Sequence, residues 1–371
     1  MTDKQYMKIA LELAAKGCGF VNPNPMVGAI IVKDNEIIGE GYHQAYGMFH
    51  AERNAIMNCK KSLKGATMYV TLEPCCHYGK TPPCTEVIIE SGISKVVIGS
   101  SDPNPLVAGK GIEILQNNNI EVVEGVLKEE CDGINEVFFN YIKTKVPYVV
   151  MKYAMTMDGK IATYTGKSKW ITGEASRKKV HEDRHKYSGI MVGVGTVLLD
   201  DPMLNCRLKN AKNSTRIICD TNLRTPIDCK IVNTAKEIPT IIATSNTDKE
   251  RQRLYIDKGC KIIVIPKKDN HIDLNELMLI LGQEKIDSVL LEGGGTLNWS
   301  ALQSGIVNKI QTYIGPKIFG GKNAKSPVLG LGVDCPQESF YLNNTKITKI
   351  DEDILIESEV IPKCLQVSLR K

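Results

Sequence analysis

His50-Ala51-Glu52 and, further along, Pro74-Cys75-Cys76-His77-Tyr78-Gly79-Lys80-Thr81-Pro82-Pro83-Cys84 are the stretches on which the reading of this chain turns. They offer one imidazole and two thiolates, from His50, Cys75 and Cys84, to a zinc ion. Three protein ligands on a tetrahedral ion leave one position for water, which is the arrangement of a catalytic site. Such an ion lowers the pKa of its water from ~15.7 to roughly 7 and makes a hydroxide nucleophile at neutral pH. Glu52, two residues from the first ligand, then has work suited to a carboxylate near the metal but not on it. It takes the water's proton and passes it to the reacting group. A structural knuckle would use four protein ligands and give Glu52 no purpose.

His-x-Glu…Pro-Cys…Cys is the pattern of zinc nucleobase deaminases, where the glutamate is a general acid/base and not a ligand. The usual second interval is Cys-x-x-Cys; here eight residues separate Cys75 from Cys84. Cys76 and His77 compete on paper as ligands. Adjacent residues seldom point at one ion, so Cys76 reads instead as a small buried hydrophobe. The inserted residues are expected to loop into the substrate pocket.

Outward from these motifs, 371 residues suffice for two or three domains, each with its own core. A hydrophobic content of 42% and a charged content of 24% are those of a soluble globular protein. No apolar run is long enough for a membrane span. The first residues lack the basic-then-apolar order of a signal peptide. Twelve cysteines in such a chain read as reduced thiols, with Cys75 and Cys84 committed to metal, and a cytoplasmic location is expected. Net charge is 47 − 42 = +5, with scattered lysines and no basic tail, which suits a small anionic substrate and argues against nucleic acid.

Short apolar runs alternate with helical stretches, which predicts an α/β architecture. A helix is expected from about Asp3 to Lys16, a hairpin over Val27–Val32 and Glu36–Gly39, helices at Ala51–Cys59 and Thr85–Ser91, and strands at Thr67–Thr71 and Lys95–Ile98. The zinc ligands then fall at two helix N-termini, whose partial positive charge favours thiolate and hydroxide. A helical segment, Ile134–Lys143, leads to Thr144-Lys145-Val146-Pro147, the expected boundary between domains 1–145 and 146–371. Strands are expected beyond it at Tyr148–Ala154, Gly189–Gly193, Thr215–Asp220, Thr240–Thr244, Lys261–Val264, Ser288–Leu291 and Lys309–Ile314. In this half, Val289 to Trp299 reads as a strand, the triple glycine Gly293-Gly294-Gly295 and a helix. Such a turn lets backbone amides approach a pyrophosphate at the helix N-terminus. A second strand leaves through Gly193-Val194-Gly195-Thr196.

Together with Asn22-Pro23-Asn24-Pro25-Met26-Val27-Gly28, the zinc motifs resemble the deaminase half of the bifunctional riboflavin-biosynthesis deaminase–reductases. The two glycine turns, with Met151–Lys160 and Ser168-Lys169-Trp170-Ile171-Thr172, are similar to the reductase half. The resemblance covers nearly the whole chain. It implies a cytidine-deaminase-like three-layer zinc domain followed by a dihydrofolate-reductase-like α/β domain that uses NADPH. It implies hydrolytic deamination of 2,5-diamino-6-(5-phosphoribosylamino)pyrimidin-4-one, then reduction of the ribosyl group to ribityl. Substrate contacts carried over to the first half are Asn24, His43, His77, Lys80, Asp102 and Asn104. In the second half they are Lys152, Ser168, Arg184, Leu204, Arg207 and Glu292, with Arg184 and Arg207 suited to a phosphate by their guanidinium forks. Cofactor contacts carried over are Ala154, Trp170, Thr196, Asp200, Thr221, and the run Gly294, Gly295, Thr296, Leu297, Asn298, Trp299 and Ser300. Arg224 is a candidate for the cofactor's 2′-phosphate, and Lys152, Asp200, Glu292 or water for the reductive proton. A homo-oligomer is expected. The alternatives are a nucleic-acid base deaminase with an appended RNA-binding domain, and a zinc-stabilised binding protein. Aromatic content of only 6% with no basic tract opposes the first, and Glu52 opposes the second.

Overall fold

In the computed structural model, residues 1–78, 82–104 and 107–362 are described. The chain divides into two compact units, Met1–Lys145 and Val146–Lys371. The first runs α1 (Asp3–Ala15), β1 (Gly28–Lys33), β2 (Glu36–Tyr42), α2 (Ala51–Asn58), β3 (Thr67–Leu72), α3 (Cys84–Glu90), β4 (Lys95–Ser100), α4 (Lys110–Asn117), β5 (Glu121–Val123), α5 (Lys128–Ile134) and α6 (Glu136–Thr144). Its sheet has the order β2-β1-β3-β4-β5, antiparallel at β2-β1-β3 and parallel from β3 to β5. The strands read as continuous apolar runs because both faces are covered. Alternate residues go to opposite sides. Ile31, Met68, Val70, Val96 and Ile98 pack with Ala51, Ala55, Ile88 and Leu115 of the helices. Ile30, Val32, Tyr69 and Val97 pack with Met7, Ala10 and Leu13 of α1. The result is a three-layer helix–sheet–helix sandwich. The helical segment expected at Ile134–Lys143 is broken at Asn135, where α5 ends and α6 begins.

The second unit continues with β6 (Tyr148–Thr156), α7 (Glu174–Lys186), β7 (Gly189–Gly193), α8 (Val194–Asp200), β8 (Thr215–Cys219), α9 (Lys230–Asn233), β9 (Thr240–Thr244), α10 (Lys249–Asp257), β10 (Lys261–Val264), β11 (Lys267–Lys268), β12 (His271–Ile272), α11 (Leu274–Gln283), β13 (Ser288–Leu291), α12 (Gly295–Gln303), β14 (Val307–Gly315), β15 (Leu342–Ile350) and β16 (Asp353–Val360). Its main sheet has the order β10-β9-β8-β7-β13-β6-β14-β16-β15. It is parallel from β10 to β14 and antiparallel at β14-β16-β15. One face buries Met191, Ile217, Val289 and Leu291 under α11 and α12. The other buries Ile190, Val192 and Ile218 with Ile231 and Tyr255. Ligand sites of such sheets lie beyond the carboxyl ends of the parallel strands. There β7 leaves through Gly193, β8 through Asp220-Thr221, and β13 through Glu292-Gly293.

Candidate active sites

In the first unit, β2 and α2 meet at Gly41, where a Cβ would lie 2.3 Å from the Ala55 nitrogen and 2.5 Å from the Ala51 oxygen. This close approach seats the start of α2 on the sheet. His50 is the residue that precedes the helix, and Cys84 is the first residue of α3. His50 Nδ1 is 3.4 Å from both Cys75 Sγ and Cys84 Sγ. Tetrahedral zinc with Zn–N near 2.05 Å and Zn–S near 2.3 Å separates N and S donors by about 3.6 Å, so these three atoms fit the ion. Among the described residues they form the one cluster of three such donors, and Cys76 is not part of it. The Cys84 thiol and its backbone N–H, the latter at 3.3 Å, hydrogen-bond Cys75 and hold that thiol down to about 4. The hydrogen bond that the His50 ring donates to the Cys75 thiolate in turn pushes His50 up. Bound metal would keep both thiols ionised.

Glu52 is 3% exposed, its Oε2 has no hydrogen-bond partner, and burial pushes its carboxyl up to about 7. A buried carboxylate oxygen left unmatched beside metal donors suits a group that exchanges a proton with something bound there. A cavity of about 280 Å³ opens in front of it, lined by Asn24, His43, His77, Asp102 and Asn104 among others. Lys80 lies outside the described residues. His43 Nδ1 is 3.0 Å from the Phe49 carbonyl, so it carries the proton, and Nε2 accepts from Asn24 Nδ2 at 3.1 Å. Burial lowers the His43 pKa, so the neutral ring is the favoured form. His77 Nδ1 is buried without a partner, and burial raises Asp102 to about 6.

Two organising residues have no motif to announce them. Glu73, 3% exposed, accepts four backbone N–H groups. Oε2 takes those of Asp102 (3.2 Å) and Gly109 (3.1 Å), and Oε1 those of Gly111 (3.0 Å) and Ile112 (3.4 Å). It thereby ties the end of β3, next to Cys75, to the segment bearing Asp102 and Asn104. Asn135 exchanges two hydrogen bonds with the Met26 backbone, at 2.8 and 3.0 Å, and fixes the loop that carries Asn24.

In the second unit, a cavity of about 230 Å³ lies at the ends of β7 and β8, lined by Gly193, Gly195, Thr221, Arg224, Thr296 and Ser300 among others. The N-terminus of α12 and the Arg224 guanidinium give it a positive character that suits a phosphorylated dinucleotide. Thr196 Oγ1 accepts the Gly294 N–H at 3.2 Å and joins the two glycine turns. The run Gly294–Ser300 does not face the cavity as a whole, because a helix presents one side. Thr296, Leu297 and Ser300 line it. Asn298 is 2% exposed and donates to the Pro327 carbonyl at 2.9 Å. Trp299 packs edge-on against Phe340, with ring centroids 5.9 Å apart, and closely over Gly330. Ala154 lies in β6, and Ser168 and Trp170 lie in the loop before α7, where the Arg177 guanidinium sits over the exposed Trp170 ring. Asp200 ends α8 and is exposed.

Arg184 differs from the expectation of a free phosphate fork. Its Nε and Nη2 donate to Glu292 at 2.8 and 2.9 Å, and Nη1 to the Asn205 carbonyl at 3.0 Å. Lys152 Nζ stands 3.7 Å from the same carboxylate. Burial alone would raise Glu292, but Arg184 and Lys152 overcome it and hold the carboxyl at about 2. Leu204 also differs: the residue is 5% exposed and its side chain belongs to the core around Ile190 and Ile218. Arg207 is exposed.

Three zinc donors with a buried glutamate in one unit, and a glycine-lined dinucleotide cavity beside an Arg–Glu–Lys cluster in the other, define a zinc hydrolase joined to a nicotinamide-dependent reductase. The comparisons agree. Residues 1–100 match the cytidine and deoxycytidylate deaminase zinc-binding region, and residues 147–356 match the RibD C-terminal domain. The chain belongs to the RibD family of riboflavin-biosynthesis enzymes. It is 56% identical to riboflavin biosynthesis protein RibD of Actinobacillus pleuropneumoniae, over 97% of this chain and 96% of that one. It is 38% identical to the RibD of Escherichia coli, over 92% and 95%. The deaminase/reductase structure from Thermotoga maritima matches with a TM-score of 0.84 at 41% identity, covering 97% of this chain and 99% of that one. RibD of Acinetobacter baumannii matches with a TM-score of 0.87 at 35% identity, covering 97% and 99%. The chain is therefore a bifunctional deaminase and reductase of riboflavin biosynthesis, acting on a small pyrimidine with Zn²⁺ and NADPH as cofactors. No helix of the described residues is long and apolar enough to cross a membrane.

Proposed function

We propose that residues 1–145 deaminate 2,5-diamino-6-(5-phosphoribosylamino)pyrimidin-4-one at its 2-amino group, and that residues 146–371 then reduce the ribosyl side chain of the product to ribityl. The observation that carries the first step is the unpartnered Oε2 of Glu52 beside the donors His50, Cys75 and Cys84. Zinc held by these donors supplies an acidified water, with its pKa lowered to roughly 7. Glu52 would pass one proton of that water to the ring nitrogen as the oxygen bonds to the carbon bearing the 2-amino group. It would then carry the second proton from that oxygen to the amine, whose C–N bond breaks to release ammonia. Asn24, His43, His77, Asp102 and Asn104 orient the pyrimidine, and Lys80 meets the phosphate. Changing Glu52→Gln keeps every metal donor but ends the shuttle. Zinc content should stay at wild-type level while deamination falls at least ~10²-fold; activity within about tenfold of wild type refutes the role.

For the second step, bound NADPH supplies the hydride to C1′ of the open-chain aldose. The carbonyl oxygen needs a proton donor, and Lys152 is the group we assign to it. Glu292 is held ionised, its two oxygens taken by Arg184, and Asp200 is exposed at the end of α8. Glu292 then positions Lys152, Ser168 and the Leu204 backbone complete the pocket, and Arg207 takes the phosphate. Ala154, Trp170, Thr196, Thr221 and the α12 face bearing Thr296, Leu297 and Ser300 hold the cofactor. Arg224, in the cavity wall, accounts for NADPH over NADH. The reading includes no nucleic-acid partner, a cytoplasmic location that keeps the cysteines reduced, and a homo-oligomer. The last is supported by β15, an edge strand that leaves Leu342 and Ile347 exposed.

A further inference from the structure

Residues 201–214, which carry Arg207, contain neither helix nor strand. Their backbone is nevertheless fastened to α7 at two points one helical turn apart. His181 Nδ1 accepts the Arg207 N–H at 3.3 Å, and His185 Nδ1 accepts the Lys212 N–H at 3.0 Å. Between them Arg184 donates to the Asn205 carbonyl at 3.0 Å, and Cys206 Sγ donates to the His181 carbonyl at 3.2 Å. Asn213 Oδ1 accepts the Cys206 N–H at 2.8 Å and closes the segment on itself. A ring nitrogen that accepts an N–H carries no proton, so Nδ1 of each imidazole is unprotonated in this arrangement. Burial and the neighbouring Arg184 and Arg207 charges hold His181 at about 4, in keeping with that form.

We infer that His181 and His185 are positioning residues of the reductase, clipping the 205–213 strap to α7 so that Arg207 reaches the substrate phosphate from a fixed backbone. The inference rests on the assignment of Arg207 to that phosphate. The strap is too short and polar to be held by a core of its own, and Leu204 anchors only its leading end. Without the imidazole acceptors, the Arg207 and Lys212 amides lose their partners and the guanidinium loses its reference point. Hydride transfer should change little, because each ring's Nδ1 is turned to the strap backbone and not to Lys152 or Glu292.

The test uses the full chain with zinc, NADPH and the deaminated pyrimidine phosphate. Phenylalanine keeps the ring shape without the acceptor, whereas asparagine places Oδ1 close to where Nδ1 stood. His181→Phe should raise the reductase KM about tenfold, the scale of one lost hydrogen bond, and the same is expected of His185→Phe. With either, kcat should stay within about twofold and the Kd for NADPH should not move. His181→Asn and His185→Asn should return KM to within about threefold of wild type. Amide hydrogen exchange at Arg207 and Lys212 should quicken in the phenylalanine variants and recover in the asparagine ones. Testing both positions keeps the inference exposed if one variant fails to fold. A KM raised equally by phenylalanine and asparagine, or by neither, overturns the clip. If Arg207→Ala raises KM while both phenylalanine variants are normal, the clip falls and the phosphate assignment stands. If Arg207→Ala leaves KM unchanged, that assignment fails and takes the inference with it.

Discussion

Replacing Glu73 with glutamine tests whether the deaminase unit depends on a carboxylate that no catalytic motif includes. Its two oxygens accept four backbone N–H groups at 3.0 to 3.4 Å, those of Asp102, Gly111 and Ile112 buried and that of Gly109 partly so. An amide keeps one acceptor oxygen and turns an NH₂ toward the other pair, so two N–H groups lose their partner and face a donor. Each buried donor left unsatisfied costs ~1–3 kcal/mol, which puts the loss at ~2–6 kcal/mol. With a urea m-value near 2 kcal/mol/M, the unfolding midpoint of the first unit should fall by roughly 1–3 M. Release of zinc to a chromogenic chelator in a urea titration reports that unit. Both tryptophans of the chain, Trp170 and Trp299, lie in the second unit, so their fluorescence reports the other unit in the same sample. Below the transition the variant should keep its zinc, because the metal donors are unchanged, but its KM for the diaminopyrimidine should rise as Asp102 and Asn104 lose their anchor. A zinc-release midpoint equal to that of wild type would refute the reasoning.

Three further outcomes are expected. Cys84→Ser should lose zinc while Cys76→Ser keeps it with near-normal turnover; metal analysis of the purified variants decides, and a metal-free Cys76→Ser would reassign the ligands. Glu292 is held at about 2 against its usual 4.5, so its contribution to the second unit is complete above pH 4.5 and is lost as pH falls toward 2. The stability gap between wild type and Glu292→Gln, read by tryptophan fluorescence in denaturant, should therefore shrink by about 3 kcal/mol across that window, and a constant gap would exclude the Arg184–Glu292–Lys152 account. A fragment of residues 146–371 should fold and oxidise NADPH with already deaminated substrate in the presence of chelator, since its sheet and cofactor cavity lie wholly within it. Zinc dependence of that reaction would contradict two independent sites.

The sequence by itself singled out the three donors that the fold gathers, the glutamate beside them and the α/β character of both halves. His50, Cys75 and Cys84 were legible because a metal demands fixed residue types at spacings the backbone can bend to, and Glu52 because it stands two residues from the first of them. Most strands from Val27 to Ile314 were legible because a strand buried on two faces is written as an unbroken apolar run, whereas β5, β11 and β12 are too short and too exposed to carry one. The hairpin of β15 and β16 was not, because Leu342–Ile350 lies on the edge and is mostly exposed, so its composition is that of a loop. Period along a helix states which side is buried but not what the other side meets. Thus Asn298 and Trp299 read as cofactor contacts from their place in a motif, and only the fold shows Asn298 held on the Pro327 carbonyl and Trp299 against Phe340. Arg184 was marked as a substrate residue, yet only the fold brings it onto Glu292, 108 positions away. Glu73, Asn135, His181 and His185 were invisible for the same reason: each serves through hydrogen bonds with backbone N–H or carbonyl groups, which carry no sequence signature. Tertiary structure decided those partners because hydrogen bonds to the main chain depend on where the chain passes, not on which residue passes there.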